Sequence, residues 1–410
     1  MSEDRADAAS GDGYVDRATL PSPIARMLAL FFERFIVGTL VVELPSGERM
    51  ARRAAGPGPE AILKINRWRA LRRLVARGDI GFAEGYMEQD WTTPDLVTLF
   101  EWVHANERAL SPAWGGTFAQ RIIDRLRHLG RANTRRGSRR NIAAHYDLGN
   151  DFYAAWLDPT MSYSSGIFSD TAKSLESAQT AKMNRAINLL DVSPGSSVLE
   201  IGCGWGALAE RLITEAGCHV TGLTLSRAQL ALASDRVRMA KRSNSSSIQL
   251  KDYRDVGDHF DRIVSIEMLE AAGEKYWPGY FRKLHDCLRP GGIAVLQVIT
   301  IEEQRFEAYR QRPDFIQNYI FPGGMLPTTA HMRALAATAG LELDHMELFG
   351  QSYAHTLAAW RDRFLRAWPF LNGPVVSERF RNMWEYYLAY CEVGFRTGAL
   401  DVGLYRLTRS

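Results

Sequence analysis

The chain has 410 residues, 46% of them apolar and 24% charged, enough to bury a substantial core in two domains or in one large domain with additions. A formal net charge of only +3 argues against a globally basic nucleic-acid binder. The four cysteines (Cys203, Cys218, Cys287 and Cys391) are scattered, with no C-x-x-C pair and no Cys/His set at zinc spacing, which points to a reducing compartment and no structural metal.

Residues 1–20 are rich in Asp, Ala, Ser and Gly and are expected to be a disordered tail. They carry several acids and no apolar h-region, so they do not read as a signal peptide. The richest early apolar run, LALFFERFIVGTLVV, is broken by Glu33 and Arg34 and is shorter than the roughly 20 residues that a membrane span requires. A cytoplasmic protein is expected. An amphipathic helix is expected over Pro23–Phe35, then two strands in GTLVVELPSGERMARRA around a Pro-Ser-Gly turn, then helix through residues 60–110. Residues 21–115 would form a small α+β domain in which no motif signals chemistry. Residues 116–140 form a basic linker, and RIIDRLRHLGRANTRRGSRR within it holds eight arginines and one acid. Such a run is either a solvated linker or a contact for anionic phosphates.

From residue 190 the pattern alternates strand and helix: SVLEIG, HVTGLTL, SIQLKD, FDRIVSI and GIAVLQVI read as strands with helical stretches between. That pattern predicts an α/β domain with a mostly parallel sheet covered on both faces. Ligands in such sheets bind beyond the carboxyl ends of the strands. The first strand, containing Glu200, runs into Gly202-Cys203-Gly204-Trp205-Gly206, where glycines let backbone N–H groups approach a ligand closely. The spacing is not the G-x-G-x-x-G of dinucleotide folds, and the second strand ends in GLTLSRAQ without the carboxylate that an NAD ribose wants. Both features favour S-adenosylmethionine (SAM), which is cationic and has no pyrophosphate to cradle.

Several long motifs occur in order: NIAAHYDLGNDFYAAWLDPTMSYSSGIF, SLESAQTAK, VLEIGCGWG, GLTLSRAQ, DYRD before FDRIVSI, NYIFPGGMLP, SYAHTLAAWRDRF and YYLAYCEVGFR. Over residues 141–410 the chain resembles the cyclopropane-fatty-acyl-phospholipid synthase family, and residues 21–115 resemble the lipid-binding extension of its bacterial members. The resemblance implies a Rossmann-like α/β SAM methyltransferase domain over residues 141–410, with a mostly parallel seven-stranded sheet, a helical lid and an acyl-chain tunnel, acting at the membrane surface on a cis double bond of an unsaturated phospholipid. It places Tyr163, Ser164, Gly202, Gly204 and Gly206 against SAM, with Glu200 and Leu225 beside them. Thr224 and Gln229 would hold the ribose, and Tyr253 and Arg254 the adenine. For Thr224 and Tyr253, ordinary strand and core packing are the plain alternatives. His145, in HYDLGNDFY, would be structural or lid-forming.

An alkene is a poor nucleophile, so it must lie in line with the S–CH3 bond in a dry site. Transfer leaves a carbocation that aromatic faces can stabilise, and a base must then remove a proton. Proton loss from the new methyl closes a cyclopropane, while other losses give a methylene or a branched alkene. Cyclopropane-forming members of the family hold a bicarbonate as base through a Cys, a Glu, a His and a Tyr. Here Glu270 and Tyr353 match, but Ser165 stands for the Cys and Gln297 for the His. Ala271 stands where a His usually follows the Glu, and Glu267 where a Gly is usual. Glu267 is expected to replace bicarbonate as proton acceptor, with Glu270 orienting it and the pair splitting their pKa values. The plain alternative is an acid at a helix N-terminus. Cys391, at a position that has been called catalytic in the family, reads more simply as a small buried apolar residue.

A branched or methylene product is favoured over a ring, with a reductase or oxidase partner downstream. A cyclopropane synthase, a methyltransferase of a soluble small molecule and a non-catalytic lipid-binding relative are the competing readings. Docking of Arg121–Arg140 and the first helix on an anionic membrane would place the enzyme peripherally at the inner face of the cell membrane. A homo-oligomer stays open.

Overall fold

The structure, a computed structural model, describes residues 33–110, 148–240, 246–371 and 376–410. The expected disordered tail, most of the first helix, the arginine run and His145 lie outside them. The chain divides into two compact units, one up to Thr117 and one from Phe118.

The first unit is built on a four-stranded sheet of order β2-β1-β3-β4. Strands β1 (Val37–Glu43) and β2 (Arg49–Arg53) form the expected antiparallel hairpin. Its turn closes through Gly47, which donates its N–H to Leu44 O and adopts φ +84°, a conformation natural to glycine. Strand β3 (Gly56–Ile65) then runs parallel to β1 and is capped at its end by the two residues of β4 (Trp91–Thr92). The helix expected from residue 60 therefore starts later. Glu60–Lys64 pair with β1 across Thr39–Glu43, and Ala61 and Ile65 are buried. Helix α1 (Arg69–Met87) follows, broken in backbone at Gly78, and α2 (Leu96–Ala105) starts at Asp95, whose carboxylate accepts from Val97 N and Thr98 N.

The second unit is a seven-stranded sheet of order β10-β11-β9-β8-β5-β6-β7. The strands are β5 (Ser197–Ile201), β6 (His219–Thr224), β7 (Ser247–Leu250), β8 (Phe260–Ile266), β9 (Leu288–Ile301), β10 (Leu341–Leu348) and β11 (Leu400–Arg409). β5 to β9 are mutually parallel, and β11 runs antiparallel to both of its neighbours. Alternate side chains of the central strands feed two cores. Val198, Val220, Val264 and Val295 pack under α4 (Leu175–Leu190) and α5 (Ala207–Thr214). Leu199, Leu223, Ile263 and Leu296 pack under α8 (Trp277–Cys287) and α10 (Thr329–Thr338). Helices α11 (Gly350–Ala367) and α12 (Glu378–Arg396) pack on each other. They share an aromatic cluster in which Trp156 lies edge-on to Trp360 and beside Trp384.

This topology fixes where a ligand goes. After β5 the chain moves outward to β6 and β7, then returns to the other side of β5 as β8. The gap between the carboxyl ends of β5 and β8 is the switch point at which such sheets bind ligands.

Candidate active site

A cavity of about 130 Å³ opens at that switch point. Its floor is the turn after β5. Gly202 has φ +82°, and a Cβ there would lie 2.3 Å from Met268 Cγ, so the turn admits only glycine. Gly204, with φ +52°, faces open space where a ligand can approach the backbone. Tyr163, Ser164, Glu200, Thr224, Leu225, Gln229 and Tyr253 line the cavity. Thr224 Oγ1 donates to Gln229 Oε1 over 2.7 Å, which fixes the Gln229 amide and leaves its N–H groups to offer a ligand. Tyr163 is held by a hydroxyl contact of 2.9 Å to Tyr387 on α12.

Two residues expected against the cofactor stand elsewhere. Gly206 is the cap residue before α5, and its Cα faces Ala233 of α6 (Arg227–Met239), so it serves helix packing. Arg254 turns to Asp252 in a two-pronged pair of 2.8 and 2.6 Å and does not line the cavity.

The cavity also contains a lysine that the sequence reading passed over. Lys182 of α4 is buried and donates to Ser164 Oγ over 2.7 Å. Burial lowers its pKa to about 8, against the attraction of Glu267, Asp158 and Glu200. Burial raises Glu200 to about 8, and its Oε2 finds no partner in the protein. Lys182 was detectable in principle, because the stripe Leu175, Ala178, Gln179, Lys182, Met183 and Ala186 keeps helical spacing and is buried throughout.

Glu267 is the node of the site. It follows β8 with φ +52°, in the left-handed region that L residues with long side chains rarely adopt. Its N–H donates to Gln297 O over 2.8 Å, and its side chain points inward. Oε1 accepts from Ser165 N (2.9 Å) and from Gln297 Nε2 (2.7 Å), and Oε2 accepts from Tyr353 OH (2.8 Å). Burial raises its pKa, while these three donors and the nearby Lys182 ammonium pull it back. Glu267 lines the cavity, so it is no helix-terminal surface acid.

Glu270, on the short turn α7 (Leu269–Ala272), lies beside it but does not orient it. Its Oε1 accepts from Ile299 N over 2.5 Å, and its buried Oε2 has no partner. Orientation of Glu267 comes from Ser165, Gln297 and Tyr353 instead. Burial first, then the charge of Glu267, pushes Glu270 up to about 8, so it is the neutral member of the pair at pH 7. Burial raises the pKa of both carboxyls. Cys391 sits on α12, its thiol pushed up by burial and then by Asp314, which leaves it protonated rather than a nucleophile. Among the described residues no His/Cys/Asp/Glu group could hold a metal ion.

Comparison with known proteins places this geometry. The family model for mycolic acid cyclopropane synthetase matches residues 133–404. The chain belongs to the mycolic acid cyclopropane synthetase family. It is 38% identical to the tuberculostearic acid methyltransferase UfaA1 of Mycobacterium tuberculosis, over 98% of this chain and 96% of that one. It is 35% identical to the cyclopropane-fatty-acyl-phospholipid synthase of Escherichia coli K12, over 83% of this chain and 85% of that one. Among solved structures, the cyclopropane synthase MmaA2 of Mycobacterium tuberculosis superposes with a TM-score of 0.60 at 31% identity, covering 66% of this chain and 98% of its own. The mycolic acid cyclopropane synthase CmaA1, crystallised with SAH and CTAB, gives 0.59 at 30% identity, covering 66% and 98%. As a member of this family the chain is a SAM-dependent methyltransferase that methylates or cyclopropanates unsaturated fatty acyl chains. The cavity suits a SAM-type ligand: a glycine floor, an unpartnered buried Glu200 oxygen, and a second carboxylate facing the same space.

Proposed function

We propose that this enzyme adds a methyl group to the cis double bond of an unsaturated acyl chain in a membrane phospholipid, and that the Glu267 carboxylate is the base that completes the reaction. The observation that carries the reading is the convergence of Ser165 N–H, Gln297 Nε2 and Tyr353 OH on one carboxylate of this chain. By resemblance, the positions of Ser165, Gln297 and Tyr353 are those that hold a bicarbonate in ring-forming relatives. Here a side chain fills the place of the ion.

SAM, when bound, supplies an electrophilic methyl to the alkene, leaving a cation on the neighbouring carbon of the acyl chain. The protein's part is to hold both partners and remove the proton. Gly202, Gly204 and the Glu200 carboxylate hold the methionine end, Gln229 with Thr224 the ribose, and Tyr253 the adenine. Glu267 accepts the departing proton on a carboxylate whose raised pKa favours taking it. A hydride shift followed by loss of a methyl proton gives a methylene branch, and direct loss of a methyl proton closes a ring. The relative matched over nearly the whole chain is named for methylation, which favours the branch. The ring remains the second reading, because a relative at 35% identity is named for it. A methylene product is still unsaturated, so a reductase would be needed to saturate it. The arginine run would dock the enzyme on the inner face of the cell membrane.

The test combines buffer and variants. In CO2-depleted buffer the parent is expected to keep full activity and Glu267→Gln to lose at least about 100-fold, the scale of a positioned base. Glu267→Gly leaves three donors around a carboxylate-sized space, so added bicarbonate or formate is expected to restore part of the activity. Full activity of Glu267→Gln, or strict bicarbonate dependence of the parent, overturns the assignment. NMR of the lipid product separates an exocyclic methylene from a cyclopropane.

A further inference from the structure

Lys182 lies on the buried face of α4 at 3% exposure, where a lysine is costly unless its charge has a purpose. One helical turn earlier, Gln179 donates Nε2 to Ser164 O over 2.7 Å, and Lys182 donates to Ser164 Oγ over 2.7 Å. Two side chains of one helix thus clamp both oxygens of Ser164. The next residue, Ser165, aims its N–H at Glu267 Oε1. Three carboxylates act on the ammonium: Glu267 from the end of β8, Asp158 from the segment after α3 (Asn150–Ala154), and Glu200 from β5. Asp158 is already committed to Thr160 and Ser162, accepting from their backbone N–H groups and from the Thr160 hydroxyl. Glu200 is held largely neutral by burial. Of the three, Glu267 acts on the ammonium most strongly, ahead of Asp158 and Glu200. On its other sides it faces the Tyr353 hydroxyl and the neutral Glu270.

We propose that Lys182 is a positioning residue for the base: its ammonium keeps Glu267 ionised, and its bond to Ser164 sets the Ser164–Ser165 backbone that holds the carboxylate in place. This rests on the reading of Glu267 as the base. A buried cation beside a carboxylate favours its charged form, so removing it makes Glu267 harder to ionise. The base would then be protonated, and idle, up to a higher pH.

Lys182→Gln removes the charge and keeps a donor for Ser164, while Lys182→Arg keeps a cation. The readout is the acid limb of kcat against pH, with SAH affinity measured by calorimetry on the same samples. Lys182→Gln is expected to move the acid limb up by about one pH unit, with kcat below the limb falling about tenfold and SAH affinity changing much less. Lys182→Arg is expected to leave the limb where the parent has it. If neither variant folds, the parent's glutamates labelled with 13C at Cδ are titrated by NMR, with Glu267 assigned by its absence in Glu267→Gln. A Glu267 that is neutral at pH 7 overturns the proposal, as does a Lys182→Gln acid limb that stays in place. Loss of activity in Glu267→Gln with an unmoved limb in Lys182→Gln refutes Lys182 alone, whereas full activity in Glu267→Gln refutes the base itself.

Discussion

Glu267 and Glu270 are both glutamates at the end of one strand, yet their surroundings give them opposite tasks. Glu267 collects three donors and a lysine charge, whereas Glu270 accepts from the Ile299 amide and leaves its other oxygen buried without a partner. Glu270 therefore keeps its proton in the fold up to about pH 8, while the unfolded chain releases it near the ordinary carboxylate value. Between those two values the folded state binds more protons, so this group's contribution to stability declines as pH rises. The slope is on the order of 1 kcal/mol per pH unit. Glu270→Gln mimics the neutral acid, and thermal melts from pH 5 to pH 8 are expected to fall less steeply than the parent's. An unchanged slope would mean that Glu270 is already ionised in the fold. Glu267 could be singled out from sequence because it breaks a family pattern at one position, and its φ of +52° explains why glycine is usual there. That conformation costs on the order of 1 kcal/mol in a glutamate, tolerated here where three donors await the side chain. Glu270's true partner was not legible, because the Ile299 amide becomes its neighbour only when β9 is laid beside β8.

At the scale of elements, the turn after β5 was the most legible part of the site, because strand, glycine turn and helix are adjacent in sequence and each glycine answers a backbone demand. Gly202→Ala tests that demand. The new Cβ would meet Met268 Cγ at 2.3 Å and would sit on a backbone with φ +82°. Displacing Met268 disturbs the segment that carries Glu267 and Glu270. SAH affinity, read by calorimetry, is expected to fall at least about tenfold, with a stability loss of about 1–3 kcal/mol for the strained backbone. Gly204→Ala meets no neighbour within 4 Å and carries only the strain of its φ, so its stability loss is expected to be the smaller of the two. Helix α4 was less legible for the opposite reason. Lys182 and Gln179 fall on its apolar stripe, but polar residues on a helix normally face solvent, and only the packing of α4 on the sheet turns them inward. Strand β3 was misread because a short apolar run such as AILKI fits either a helix or a buried strand until a partner strand is known.

For the whole molecule, the proposed phospholipid substrate would require the enzyme to reach a double bond inside a bilayer. Among the described residues no helix is long and apolar enough to cross a membrane. The fold class was legible because β5, β8 and β9 carry apolar runs and the intervening segments alternate strand and helix. The polar, alternating β10 and the late-returning β11 gave no such signal. Net charge gave no warning of a membrane surface, since +3 over the whole chain hides eight arginines against one acid within residues 121–140. Near an anionic leaflet each such base contributes about 1 kcal/mol, and the attraction falls off within about 10 Å at 0.1 M salt. Four of these, Arg135, Arg136, Arg139 and Arg140, lie within six residues. Replacing all four with alanine is expected to weaken binding to phosphatidylserine-containing vesicles by at least about tenfold in co-sedimentation. Parent binding to the same vesicles should drop as salt rises, and neither protein should hold purely zwitterionic vesicles well. Turnover of a detergent-dispersed unsaturated phospholipid should match between the two, since the cavity at the β5/β8 switch point is untouched. Equal affinity of the parent for anionic and zwitterionic vesicles would shift the docking role from these charges to apolar insertion.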